Sequence, residues 1–228
     1  MQQDSQSRIS TPFLIITCLF VTCLLITNIV AGRLVAWGKM TLTADLFLFP
    51  ITYIFGDVLT EVYGFRRARI TIWLGFAANL LMAAVFIFVV SLPSPSFWEQ
   101  ESAYRTVLGF APRIVLASLV AYLVGEFSNS IILSRMKVLM AGKWLWTRTI
   151  GSTLVGEGVD TVVFMSIAFS GLYEPGIFWG MVLVQYGWKV AYEILATPLT
   201  YYVVNRLKRS EGIDTFDRGI NYNPFAWK

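Results

Sequence analysis

Six apolar runs separated by short polar or proline-bearing breaks make up most of this chain. The first, from Ile9 to Gly32, holds no charged residue and predicts a membrane helix over about 12–32. It is too long for a signal-peptide core and lacks a small-residue cleavage site, so it reads as a mature helix. A second run at 43–64 is interrupted by Pro50, Asp57 and Glu61. A third, 70–92, ends at Pro93 and Pro95. The fourth starts at Pro112, a favourable first-turn proline, and reaches about Ser134. The fifth covers 147–171 and the sixth 177–205, with Pro198 at a potential kink. Residues 33–42 read as a short connection, and 93–111 as a longer loop able to cover a site or to serve as a solvated connector.

Charge orients these spans. With the N-terminus inside, the inner segments carry twelve cations (Arg8; Arg66, Arg67, Arg69; Arg135, Lys137, Lys143; Arg206, Lys208, Arg209, Arg218, Lys228), against three outside (Arg33, Lys39, Arg105). The positive-inside rule then places both termini in the cytosol. The expected fold is an all-α, polytopic bundle of six transmembrane helices. It forms one domain over residues 1–228, with a cytosolic tail at 206–228.

Composition agrees, with 56% hydrophobic and 14% charged residues and a mean hydropathy of +0.63. Soluble domains carry about 25% charged residues. The length leaves no room for a soluble receptor domain or an ATPase, and no GxxxxGK[ST] string occurs. There is no histidine, hence no imidazole base and no His-liganded metal. Cys18 and Cys23 are five apart in the first run and read as apolar membrane residues. No metal site, cofactor or nucleic-acid partner is expected.

An ionisable side chain inside a span costs about 2.5–3.5 kcal/mol on insertion scales and marks a functional site by default. Asp57 and Glu61 lie one turn apart on the second span, with Tyr53 extending their face. Tyr122, Glu126 and Asn129 share a face on the fourth, and Thr153, Glu157 and Asp160 on the fifth. Gln185, Lys189 and Glu193 form a stripe on the sixth; Asn28 and Asn79 add neutral polar groups. Asp57, Glu126 and Glu157 each lie nine residues from an inner arginine. At 1.5 Å per residue that is about 13 Å deep, near the midplane of a core about 30 Å thick. One shared polar chamber is the expectation.

LVGEFSNS at 123–130 and LVGEGVDT at 154–161 form an internal repeat, echoed weakly by FGDVLTE at 55–61. A glycine before the acid lets a neighbouring backbone or a ligand approach closely. Six core acids (Asp57, Glu61, Glu126, Glu157, Asp160, Glu193) face two candidate core cations, Lys189 and Arg113, which leaves four carboxylates uncompensated. Such a chamber suits a neutral heterocycle rich in N–H donors, or a proton-coupled carrier.

Four segments carry a family resemblance: FPITYIFGDVLTEVYG at 49–64, RIVLASLVAYLVGEFSNS at 113–130, RTIGSTLVGEGVDTVVF at 148–164 and KVAYEILATPL at 189–199. Together with the tail DTFDRGINYNPF at 214–225, they resemble the queuosine-precursor transporter family. This is the vitamin-uptake-transporter-like group related to the substrate-binding subunits of energy-coupling-factor transporters. The resemblance covers about residues 28–225. It implies six membrane helices in the cell (inner) membrane, no enzymatic activity, and uptake of 7-cyano-7-deazaguanine or its 7-aminomethyl relative. The motif positions it carries over are Asp57, Glu61, Arg113, Ser118, Glu126, Asn129, Ser152, Glu157, Asp160 and Lys189. The candidate binding set is Asn28, Tyr53, Asp57, Glu61, Arg113, Tyr122, Glu126, Asn129, Glu157, Asp160 and Lys189. A homo-oligomer or an energising partner is left open. The competing readings are a binding subunit that needs a separate ATPase and an intramembrane, metal-dependent transferase.

Overall fold

The computed structural model describes residues 10–31, 33–37, 40–109 and 112–226. Arg8, Lys39 and Lys228 of the charge pattern lie outside them. The elements are α1 (Thr11–Val30), β1 (Leu34–Trp37), β2 (Met40–Thr43), a 3₁₀ turn (Ala44–Phe47), α2 (Phe49–Tyr63), α3 (Phe65–Ser91), α4 (Glu101–Leu108), α5 (Pro112–Leu139), α6 (Leu145–Phe169) and α7 (Pro175–Glu211).

α1, α3, α5 and α6 contain stretches long and apolar enough to cross a membrane. With their outward Leu, Ile and Phe side chains, they make the chain a multi-pass α-helical membrane protein. α1 starts where Ser10 Oγ accepts from Phe13 N at 3.3 Å, with Pro12 in the first turn. Its 20 residues span about 30 Å.

α2 is different. It has 15 residues, about 22 Å, and residues 56–63 are all buried. The helix of the second apolar run therefore begins at Phe49, six residues later than the expected residue 43, and residues 44–47 form the 3₁₀ turn. Residues 40–43 instead form a hairpin with 34–37, in register Leu34↔Thr43 to Trp37↔Met40, so the expected plain connection at 33–42 is a β-hairpin. A short helix with irregular backbone before it is tolerated at membrane depth only when protein surrounds it, and α2 is so surrounded. It packs against α1, α3, α5 and α7.

The loop at 93–111 contains α4, an amphipathic helix with no buried residue, held by a salt bridge between Arg105 and Glu101. α5 and α7 run five and six residues past the expected 134 and 205. α7 continues through Pro198. Two apolar clusters hold the bundle. One joins α1, α2 and α7 around Phe13, Val58 and Val62. The other joins α1, α3 and α5 around Phe20, Phe65 and Tyr122.

Candidate binding site

α5 and α6 form the most extensive helix pair in the bundle, and the repeat explains why. A Cβ on Gly125 would lie 2.7 Å from Asp160 Cβ and 3.2 Å from Gly156 O. A Cβ on Gly156 would lie 2.6 Å from Asn129 Cβ and 3.1 Å from Gly125 O. Each repeat's glycine thus receives the other repeat's residue four places on, a local two-fold relation between antiparallel helices. α2 closes on the same level, where a Cβ on Gly56 would lie 3.0 Å from Glu126 Oε2.

The polar groups follow this relation. On the α5 side, Asn129 Nδ2 donates to Asp57 Oδ1 of α2 at 2.7 Å. On the α6 side, Lys189 of α7 donates to Asp160 Oδ2 at 2.7 Å. Lys189 Nζ also lies 2.9 Å from Glu157 Oε2 as an ion pair, and 4.1 Å from the centre of the Phe49 ring. One cation therefore serves two carboxylates, a desolvated arrangement that survives only with close geometry. Asp57 Oδ2, Glu126 Oε1, both oxygens of Glu193, Asn129 Oδ1 and the Tyr53 hydroxyl are buried without a hydrogen-bond partner among the described residues.

A cavity of about 250 Å³ lies on one side of this layer. Asp160, Lys189 and Tyr122 line it where it meets the buried acids, and Gln185 lines it from α7. One wall is a neutral network: Asn28 Nδ2 donates to Asn79 Oδ1 at 2.7 Å, and Ser118 Oγ donates to Asn28 Oδ1 at 3.0 Å. The remaining lining is largely apolar, as ligand pockets are. No residue of 93–109 lines the cavity.

Of the expected site residues, Asn28, Tyr122, Asp160 and Lys189 line the cavity. Tyr53, Asp57, Glu126, Asn129 and Glu157 form the buried layer beside it. Glu61 and Arg113 lie elsewhere, which removes one acid and one cation from the expected set. Arg113, at the start of α5, donates to Ile167 O (2.5 Å), Ser170 O (2.8 Å) and Ser170 Oγ (3.1 Å) at the C-terminal end of α6. There it satisfies carbonyls that a helix end leaves open. Glu61 is paired with three other cations. The chamber then holds five acids (Asp57, Glu126, Glu157, Asp160 and Glu193) against the one cation Lys189, so the expected excess of four carboxylates stands with a different membership; among the described residues Asp57, Glu126 and Glu193 have no cation paired with them. Phe49, beneath Lys189, was not singled out in the sequence; an aromatic preceding the helix-opening Pro50 is a weak signal.

The opposite end of the bundle, rich in Arg and Lys, is closed. Glu61 Oε1 accepts from Arg148 Nη2 at 3.0 Å and Lys208 Nζ at 2.6 Å, with Lys137 Nζ at 3.5 Å. Lys137 donates to Glu61 O and Asp214 Oδ1, each at 2.5 Å, and to Thr215 O at 2.7 Å. Lys208 lies 2.8 Å from Asp214. Partial burial raises the Asp214 pKa, but the hydrogen bonds and charges of Lys137 and Lys208 outweigh it and hold the carboxyl below its usual range. The tail continues across this end. Buried Asp217 accepts from Phe65 N at 2.7 Å and Ser134 Oγ at 2.6 Å, so it caps α3, whose own N-cap is a glycine. Arg69 donates to Asn223 O at 3.0 Å, and Trp73 Nε1 to Pro224 O at 2.9 Å.

A ligand-sized cavity within a multi-pass helical bundle, backed by buried acids and closed at one end, is the equipment of a membrane transporter. Residues 43–203 match the family model described as "Putative vitamin uptake transporter", and the chain belongs to that family. It is a family of transporters, not enzymes. A "Probable queuosine precursor transporter" of Bacillus subtilis (strain 168) is 28% identical over 173 residues, 75% of this chain and 76% of that protein. A "Queuosine precursor transporter" of Escherichia coli (strain K12) is 29% identical over 171 residues, 73% and 71% of the two chains. A "Probable queuosine precursor transporter" of Haemophilus influenzae (strain ATCC 51907 / DSM 11121 / KW20 / Rd) is 30% identical over 139 residues, 61% of this chain and 54% of that one. No solved structure matches the chain significantly.

Proposed function

We propose that this chain imports queuosine precursors of the 7-deazaguanine type, 7-cyano-7-deazaguanine or its 7-aminomethyl relative, as a single six-crossing domain with both termini in the cytosol. The arginine- and lysine-rich end then faces the cytosol, and the cavity lies in the outer half. The observation that carries the reading is the trio Asp57, Glu126 and Glu193, buried beside a cavity of about 250 Å³ with no cation bound to them among the described residues. The names of the three relatives support the same substrate class.

A deazaguanine offers N1–H and an exocyclic amine along one edge, a pair that a carboxylate accepts in bidentate fashion. Its ring is flat and apolar, which suits a wall with the Tyr122 ring. Asp160, Lys189 and Asn28 contact the base in the cavity, while Glu126, Asn129, Asp57, Glu157 and Tyr53 stand behind them. The ligand's N–H donors satisfy the acids' open oxygens, and protons that travel with it supply the positive charge they lack.

The test is uptake of 7-cyano-7-deazaguanine into cells unable to synthesise it, then into liposomes holding the purified chain under an imposed proton gradient. Accumulation that follows the gradient is expected, with the pH profile altered in Glu157→Gln and binding retained better than in Glu157→Ala. No uptake in cells refutes the substrate. Uptake in cells but none in liposomes assigns the energy to a separate partner. Binding of 7-cyano-7-deazaadenine as tight as that of the guanine form refutes carboxylate recognition.

A further inference from the structure

Glu61 was expected beside Asp57 in the binding layer, yet its surroundings give it a different role. The four helices that supply the buried acids and Lys189 are α2, α5, α6 and α7. Each also supplies one charged side chain to the knot at the basic end: Glu61, Lys137, Arg148 and Lys208. The contacts converge on one oxygen, Oε1, while Oε2 of the same fully buried carboxylate has no hydrogen-bond partner among the described residues. Asp214 of the tail bridges Lys137 and Lys208 from below. Thr215 N donates to Val62 O at 3.2 Å, which fixes the tail to the end of α2. Between knot and acids lies a second polar layer, where Thr60 Oγ1 and Ser130 Oγ are 2.5 Å apart.

We infer that the Glu61 knot, latched by Asp214, is the inner gate of the transporter. The cavity lies on the far side of the acid layer, and this single carboxylate hub is the chief charged closure between that layer and the basic end. A hub with one overloaded oxygen and one free oxygen has a second place to receive its cations, so the helix ends can separate stepwise without stranding a buried charge. Four helices joined at one atom also open together, since moving any one of them weakens the others' hold. A static staple would bear on folding alone; a gate bears on which side of the membrane reaches the chamber.

The reporter is Thr153, buried on α6 one turn from Glu157 toward the basic end, with an unpartnered hydroxyl. Thr153→Cys is placed in a chain lacking Cys18 and Cys23. It is probed in sealed vesicles of both orientations with a membrane-impermeant methanethiosulfonate. Two latch variants are compared, Lys208→Met and the milder Asp214→Asn. Both are checked for cooperative thermal unfolding, and Asp214 is half exposed, so its replacement leaves a folded chain to measure. Labelling from the basic side should rise at least about tenfold in Lys208→Met, because each charge-assisted bond lost is worth about a decade in an opening equilibrium. It should rise less in Asp214→Asn, and labelling from the opposite side should not rise. Unchanged basic-side labelling in a folded variant, or a rise only from the opposite side, overturns the gate. The assay uses no substrate, so its failure is separate from any failure of the deazaguanine reading.

Discussion

Replacing Gly156 by alanine tests the helix crossing that builds the site, and Gly158 on the same helix is its control. The Gly156 Cβ would stand 2.6 Å from Asn129 Cβ and 3.2 Å from Asn129 Cα, against an optimum of about 3.5–4.0 Å for carbon pairs. Its neighbours are backbone and Cβ atoms, which cannot swing aside, so α5 and α6 must part. At Gly158 the nearest atom is Tyr186 Cε2 at 3.5 Å, an ordinary contact. Both changes gain the same helix propensity, about 0.8–1 kcal/mol, so the difference between them isolates the overpacking cost of about 1–3 kcal/mol. At about 2–4 °C per kcal/mol for a chain of this size, Gly156→Ala should melt roughly 2–12 °C below Gly158→Ala. Tryptophan fluorescence in detergent reads this directly. Displaced Asn129 also loosens its bond to Asp57, so ligand affinity should fall in Gly156→Ala and hold in Gly158→Ala. Equal melting temperatures, or a higher one for Gly156→Ala, would refute the reciprocal glycine contact.

Other outcomes follow from the same contacts. Asp217→Ala removes the cap of α3 and leaves Phe65 N–H open; it should cost about 1.5–3 kcal/mol, read as a lower melting temperature, with Asp217→Asn partly restoring it. Lys189→Met strands Glu157 and Asp160 without a cation, a loss of about 3–5 kcal/mol. Adding Glu157→Gln and Asp160→Asn should recover folded yield in size-exclusion profiles. Asp214 has a folded pKa below its ordinary 3.8, so its contribution is present above that pH and fades as pH falls through the folded value. The melting gap between wild type and Asp214→Asn should therefore be constant from pH 7 to 5 and close below about pH 4.

The chamber was legible because depth and face are local properties. Counting nine residues from Arg66, Arg135 and Arg148 placed Asp57, Glu126 and Glu157 at one level, and the Gly–Glu repeat announced the α5–α6 crossing. What pairs with what was not local. Glu61 shares a helix face with Asp57, but its partners come from positions 137, 148 and 208, and only the meeting of helix ends brings them together. Arg113 looked like a core cation until the end of α6 was seen beside it. The start of α2 was in reach, since Pro50 in its first turn is a helix-start signal. Reading 43–64 as one apolar run carried the helix back to residue 43, over the end of β2 and the 3₁₀ turn at 44–47.

The cap on α3 is supplied from 152 residues downstream. At about 5–20 residues per second, ribosomal synthesis covers that distance in roughly 8–30 s. Until then Phe65 N–H and the Lys137 ammonium have no tail to meet. The nascent bundle thus enters the lipid with its basic end unfinished, and only the arrival of residues 214–217 completes it. A chain released short of that point would carry every crossing yet keep buried charges seeking partners, a form that quality-control proteases can distinguish from the finished protein.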